Sequence, residues 1–367
     1  MILKMIDDGK ITAEEGVKLL EALEKTESGK NSTDTSLSTR VNWEEGRRKT
    51  KSYRQVSGAN KFATFIESAI QKIKEVDLDF NFGTYMTVHH IFHHRQLTEA
   101  TFDISVENGS VTLVPWNEED VRLECEAKVY RARDAEEAKQ TFLREVTMTG
   151  DGEKLKIYSK QKTIKLQATI YVPQKQYQAI TLYTFNGHLK GEHLRTNKIE
   201  AKAVNGSISF DHLDTKKLAA ETVHGPIDIV ETNANACDVR TVNGAITING
   251  MLPDVDVETV NGTITYELKG TSDTRNYADF KATTGSIHVS VPHTYRVEGN
   301  LKTNVGGFTC DLDDLEIIEE KKDFAQKQTV FLAGPEKVPS LKLKASTNTG
   351  SISVQNVNQG SDPLVNN

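Results

Sequence analysis

Cysteine is scarce in this chain of 367 residues, and the three present, Cys125, Cys237 and Cys310, lie far apart with no CxxC pair. They form neither a closed disulfide set nor a zinc motif. No stretch approaches 18 consecutive apolar residues, so no helical membrane span is expected. Residues Met1 to Lys10 lack a basic segment followed by an apolar core, so no Sec-type signal is visible. An excess of positive charge is also missing. Lys and Arg total 45 against 52 Asp and Glu, a net charge of −7, which argues against nucleic acid as a general partner. There is no nucleophile elbow, phosphate loop or HExxH sequence, so no residue is singled out for catalysis or cofactor binding. What remains is 37% apolar and 26% charged, with mean hydropathy −0.49. That is too apolar for a disordered chain and fits a soluble intracellular protein of two or three domains, or one long repeat array.

The first 27 residues read as two short helices. Ile2, Leu3, Met5 and Ile6 form a stripe that stops at Gly9, a helix C-cap. Thr12 and Glu15 are spaced as a capping box before the apolar face Val17, Leu19, Leu20 and Leu23. Elements this short bury too little to stand alone, so that face is the candidate interaction surface, toward a partner or a second copy. Residues 28–60 read as a polar linker ending in the basic cluster Arg47, Arg48, Lys49, Lys51 and Arg54. An amphipathic helix follows, with Phe62, Phe65, Ile66, Ala69, Ile70, Ile73 and Val76 at helical spacing. It docks on the protein's own core or, with the basic cluster, touches an anionic membrane surface. Within 61–97 a second segment, Phe80 to His94, alternates like a strand. It holds His89, His90, His93 and His94, the only dense candidate for metal chemistry. In a strand the i,i+4 pairs that would hold zinc are separated, so the reading is exposed imidazoles and no metal.

From residue 98 to 367 the chain is strand-like, interrupted by one helix at Asp134–Val146 with Asp134 and Glu137 as its capping box. An internal repeat dominates. Thr184-Phe185-Asn186-Gly187 recurs as Ala203-Val204-Asn205-Gly206, Thr222-Val223-His224-Gly225, Thr241-Val242-Asn243-Gly244 and Thr259-Val260-Asn261-Gly262. Its glycines are 19, 19, 19 and 18 residues apart. Degenerate copies continue at Gly285, Gly306 or Gly307, and Gly350. Apolar residues alternate on both sides, as in Leu218 and Ala220 before Gly225 and Ile227 and Ile229 after it. All three cysteines take inward slots of this alternation, where a thiol serves as a small hydrophobe. Asn-Gly suits a tight turn because both residues tolerate positive φ, and His224 shares that tolerance.

A meander of hairpins needs no constant period, whereas a solenoid does, because each coil must lie on the last. The expected fold is therefore mainly β: a β-solenoid of coils of about 19 residues, a short N-terminal helical module and one inserted helix. A longer echo places Val172-Pro173 before Asn186-Gly187 at the interval separating Val291-Pro292 from Val305-Gly306, with Tyr177 and Tyr295 inside the copies. Proline donates no ladder hydrogen bond, so these segments are expected at edges or corners.

Leu3 to Leu20, with Asp7-Asp8-Gly9-Lys10-Ile11-Thr12-Ala13-Glu14-Glu15, resembles the SHOCT-like helical module of the LiaX/YvlB-like family of Gram-positive bacteria. The Thr-Val-Asn-Gly-x-Ile-x-Ile repeats are similar to the adhesin-type β-repeat domain that follows it there. The resemblance implies a non-enzymatic scaffold of the cell-envelope stress response to membrane-active antimicrobial peptides, with membrane proteins of that system as partners. It carries over no catalytic or cofactor residues. Self-association through the N-terminal module and peripheral membrane contact are further expectations. The expected location is cytoplasmic, membrane-peripheral, or the cell surface without a visible signal. The rival functions are a surface adhesin and a carbohydrate-active β-helix enzyme.

Overall fold

The structure is a computed structural model, and it describes residues 58–75, 83–270, 275–323 and 326–357. The N-terminal interaction face Val17, Leu19, Leu20 and Leu23, the polar linker and the basic cluster lie outside the described residues.

The chain divides into two compact units, residues 1–80 and 81–367. In the first, helix α1 spans Gly58–Glu75. Phe62, Phe65, Ile66, Ala69 and Ile70 are buried along one stripe, as the 3.6-residue period requires. In the second unit helix α2, Ala135–Glu145, is capped by Asp134, whose side chain accepts from the Glu137 amide. The reciprocal bond goes one residue further back, from the Arg133 amide to Glu137. Ala138 and Phe142 anchor this helix in the core.

The rest of the second unit is a single connected sheet system, with two parallel ladders at its heart. Each repeat runs a long strand into the Asn-Gly corner and a short strand out of it, as in Arg195–Asn205 then Ile208–Asp211. Long strands pair with long strands and short with short. Leu218 lies beside Ile199 and Cys237, and Ile227 beside Ile208 and Ile246. The pairing is parallel and steps by one repeat, which a chain of Asn-Gly hairpins does not produce. Inward positions of both ladders are filled throughout. Ile199, Ala201, Ile208, Leu218, Ile227, Val239, Ile248, Val257, Phe280, Ile287 and Leu343 are each 0–1% exposed. Large and small residues compensate across the interior: Ala201 and Ala203 share a rung with Phe210, and Tyr266 packs on Phe280 with ring centroids 5.1 Å apart.

Chain order and stacking order part at both ends. The rung 101–116 lies between the rung built from Lys154–Ser159 and Ile164–Pro173 and the rung beginning at Gln176–Asn186. The last rung, Ser340–Thr349 with Ile352–Asn356, is inserted between those at Asn276–Thr284 and Arg296–Val305. The Val-Pro echo falls at these two places. After Pro173, and again after Pro292, the chain steps over one rung to reach the next but one. A proline at that step forfeits no ladder bond, and the tyrosine beyond it closes the corner. The Tyr177 hydroxyl donates to the Pro173 carbonyl at 2.6 Å, and the Tyr295 amide to that of Pro292 at 3.1 Å.

Antiparallel strands cover the ends. Val121–Tyr130 pairs with Ile164–Pro173, and Tyr85–His94 pairs with Val121–Tyr130 along its whole length. The His-rich segment therefore belongs to the β unit, not to the helical segment before it. At the far end Lys327–Ala333 and Leu315–Lys322 cover the rung Arg296–Val305.

Candidate functional site

The repeated tetrapeptide is the most distinctive local structure, and each of its positions has a separate task. The threonine hydroxyl donates to the carbonyl of the glycine one rung away: Thr184 to Gly109 at 2.9 Å, Thr222 to Gly206 at 3.0 Å, Thr241 to Gly225 at 3.2 Å. The same bond recurs in the degenerate copies, from Thr303 to Gly350 and Thr347 to Gly285. The second position, Phe185, Val204, Val223 or Val242, is buried. The asparagine side chains hydrogen-bond up the stack, Asn205 to Asn186 at 2.9 Å and Asn261 to Asn243 at 2.8 Å. His224 keeps that column running, its Nδ1 lying 3.1 Å from the Asn243 amide nitrogen.

The glycine has a second reason beside the one the turn chemistry suggests. Gly187 and Gly225, with the degenerate copies Gly285, Gly306 and Gly350, do take the expected positive φ, between 143 and 156°. Gly206, Gly244 and Gly262 lie outside the positive-φ region, and so do the asparagines and His224. What demands glycine at those three positions is proximity, which the positive-φ glycines share. A Cβ on Gly244 would stand 2.5 Å from the Gly225 carbonyl carbon and 3.0 Å from Pro226 N, and closer still to the Gly225 oxygen. Left-handed residues other than glycine lie at the opposite corner, where His193, His212 and Glu231 take φ of 51, 51 and 46°. Glu192-His193-Leu194 and Asp211-His212-Leu213 share an acidic-His-Leu sequence 19 residues apart, a shorter signal that stops at Glu231 and that the sequence reading passed over.

The histidines of Tyr85–His94 alternate as a strand dictates: His89 and His93 on the exposed face, His90 and His94 on the half-buried one. His90 packs edge-on to Phe92 at 4.4 Å. His94 Nε2 lies 3.0 Å from Glu99, a carboxylate only 2% exposed, and His93 lies 3.8 Å from Asp120. Sequence inspection found no carboxylate near these imidazoles: it passed over Glu99, five residues beyond His94, while Asp120 arrives through the fold. Burial pushes the Glu99 carboxyl up, but hydrogen bonds from its own backbone, from His94 and from the Gly152 amide outweigh it and hold it below its usual range. Among the described residues no three His, Cys, Asp or Glu side chains group as a metal site.

Cys125 and Cys237 are buried as the alternation requires, and burial pushes the Cys125 thiol up to about 12. Cys310 is only half-buried. It faces inward, but on the terminal short strand Phe308–Asp311, whose one ladder neighbour is Ile352–Asn356. Burial still raises its thiol to about 11.

One outward feature escaped the sequence reading. Four residues before successive repeat glycines stand Lys202, Glu221, Arg240, Glu258 and Lys281, side by side in the first ladder and alternating in sign. Lys202 lies 2.8 Å from Glu221, and Arg240 lies 3.2 Å from Asp238 and 3.8 Å from Glu258. Burial opposes the Arg240 charge, yet Asp238, Asp256, Glu258 and Glu221 more than offset it and keep the guanidinium above its ordinary value. The column was legible once the repeats were aligned on their glycines.

Three loops also enclose an open cleft of about 540 Å³ at the first rung-skipping step, between Gln96–Thr98, 116–119 and Pro173–Lys175.

Comparison with known proteins places these features. Residues 100–355 match the family model described as Toastrack DUF4097, and residues 1–28 match a SHOCT-like domain. Protein YvlB of Bacillus subtilis (strain 168), itself described as uncharacterized, is 42% identical over 357 residues, covering 96% of this chain and 97% of the relative. Among solved structures, a candidate adhesin from Parabacteroides distasonis ATCC 8503 covers 73% of this chain and 97% of its own at 11% identity and TM-score 0.39. A candidate cell adhesion protein from Clostridium sporogenes ATCC 15579 covers 74% and 100% at 11% identity and TM-score 0.26. With its SHOCT-like segment followed by stacked Thr-Val-Asn-Gly repeats, the chain belongs to the Toastrack DUF4097 family and is a YvlB homologue.

Proposed function

We propose that this protein is a β-solenoid scaffold of the bacterial cell-envelope response to antimicrobial peptides. It works by binding membrane-associated partners and not by catalysis. The observation that carries the reading is the division of labour within the repeats. The threonine, asparagine and glycine of each corner are spent on holding one rung to the next, and the inward residues on the core. A chain that invests its repeated residues in stacking maintains a rigid platform, and recognition falls to the faces and modules the platform carries. The SHOCT-like segment ahead of it presents Val17, Leu19, Leu20 and Leu23 to a partner or to a second copy. The protein acts from the cytoplasmic side as a peripheral component.

The test is capture from crosslinked membranes with the full chain and its Leu20→Asp variant, before and after an antimicrobial-peptide challenge. Wild type should retain a membrane protein that Leu20→Asp loses, because a charge is forced into an apolar contact, while both share one circular dichroism spectrum. Equal capture by both would end the module's part in the reading. Recovery of the protein mainly outside the cell would favour an adhesin.

A further inference from the structure

We infer that the cleft between the loops Gln96–Thr98, 116–119 and Pro173–Lys175 is a binding site for a neutral sugar ring of a glycan. The three loops come from distant parts of the chain and are tied together. Leu97 N donates to the Glu119 carbonyl at 3.2 Å, Gln174 N to that of Trp116 at 3.2 Å, and Lys175 Nζ to that of Leu97 at 3.1 Å. Gln96 is held at φ 56°, a conformation uncommon outside glycine. The cleft is therefore formed before any ligand arrives, which removes the ordering cost of binding.

Its chemistry is specific. Trp116 is half-buried, its ring 5.5 Å from Tyr171 and its Nε1 donating to the Asp120 carbonyl at 2.9 Å, so the indole is fixed in orientation at the cleft wall. An indole face covers the C–H side of a pyranose. Around it stand the exposed side chains of Gln96, Asn117, Gln174, Glu118 and Glu119. Amides donate and accept, and carboxylates accept two hydrogen bonds, which together match vicinal hydroxyl groups. Two carboxylates repel phosphate and other anions, and the one lysine is already committed to the Leu97 carbonyl. A volume of about 540 Å³ falls within the range of small-molecule sites and accommodates one or two sugar rings. The site is built from the β unit alone and is independent of partner capture by the N-terminal module.

The experiment is saturation-transfer NMR on the full chain with cellobiose, maltose and N,N′-diacetylchitobiose, each at about 10 mM so that a Kd of about 1 mM is detected. Trp116 emission is followed in parallel in a Trp43→Phe background, where Trp116 is the sole tryptophan. Wild type should transfer saturation to the ring protons of at least one sugar, with a change in Trp116 emission. Trp116→Ala should abolish the transfer. Gln174→Ala, on an exposed loop whose backbone bond is kept, should weaken binding several-fold and decides the matter if Trp116→Ala fails to fold. No transfer from any of the three sugars would overturn the proposal, as would transfer that survives Gln174→Ala and a folded Trp116→Ala unchanged.

Discussion

Gly244→Ala is the most direct probe of how the rungs are held. The added methyl would stand 2.5 Å from the Gly225 carbonyl carbon and 3.0 Å from Pro226 N, backbone atoms with no side-chain freedom to yield. Relief requires the two rungs to separate locally. The bonds at stake are Gly225 N to the Asn243 carbonyl at 2.9 Å, Ile227 N to that of Ala245 at 3.0 Å, and Thr241 Oγ1 to that of Gly225 at 3.2 Å. At about 1 kcal/mol net for each bond, the expected loss is about 3 kcal/mol, and more where separation also opens the core beside Val242 and Ile246. The backbone of Gly244 is not left-handed, so none of this loss comes from φ strain. Gly307→Ala is the matched control: nothing lies within 4 Å of its hypothetical Cβ, and it should change stability by less than about 0.5 kcal/mol. Urea unfolding of both variants, followed by circular dichroism, should show a lowered midpoint at unchanged slope for Gly244→Ala alone. A midpoint for Gly244→Ala equal to that of Gly307→Ala would refute the close-approach argument.

Four further outcomes follow from the same geometry. Thr241→Val keeps the shape of a fully buried side chain but strips the Gly225 carbonyl of its hydroxyl partner, so it should lose about 1–2 kcal/mol in the same urea assay. Arg240→Met leaves Asp238, Glu258 and Glu221 clustered without their shared counter-charge and should lower the melting temperature, with Glu258→Gln partly restoring it in the double variant. With a thiol reagent at neutral pH, Cys125 and Cys237 should label only after denaturation and Cys310 first, following burial and the raised thiols of Cys125 and Cys310; prompt native labelling of Cys237 would contradict its inward register. The Asp151 carboxylate accepts from Lys154 N, Lys156 and Glu153 N and is held down at about 2. Its stabilising contribution should be complete above its ordinary value near 4 and fade as pH falls through about 2, which an NMR titration of the full chain against Asp151→Asn would display.

Much of this protein is fixed by its amino-acid sequence alone. The spacing of Gly187, Gly206, Gly225, Gly244 and Gly262, with apolar alternation on either side, sets strand positions and the inward face, because both depend on neighbours close in the chain and on a period that stacking enforces. The Asp134 cap of α2 and the stripe of Phe62, Phe65, Ile66, Ala69 and Ile70 are local in the same sense. The tertiary structure decided the rest. Threading 101–116 and 340–356 between rungs that are not their chain neighbours is a choice among strands of equal quality, made by long-range pairing that leaves only a Val-Pro step as its mark. Glycine at position 244 was foreseeable but its reason was not, since a turn preference is a property of one residue and a clash with Gly225 is a property of two rungs. Asp120 beside His93, Cys310 left half-covered, and three loops converging on Trp116 likewise depend on which segments meet, and chain separations of up to 78 residues, as between Leu97 and Lys175, carry no local signal.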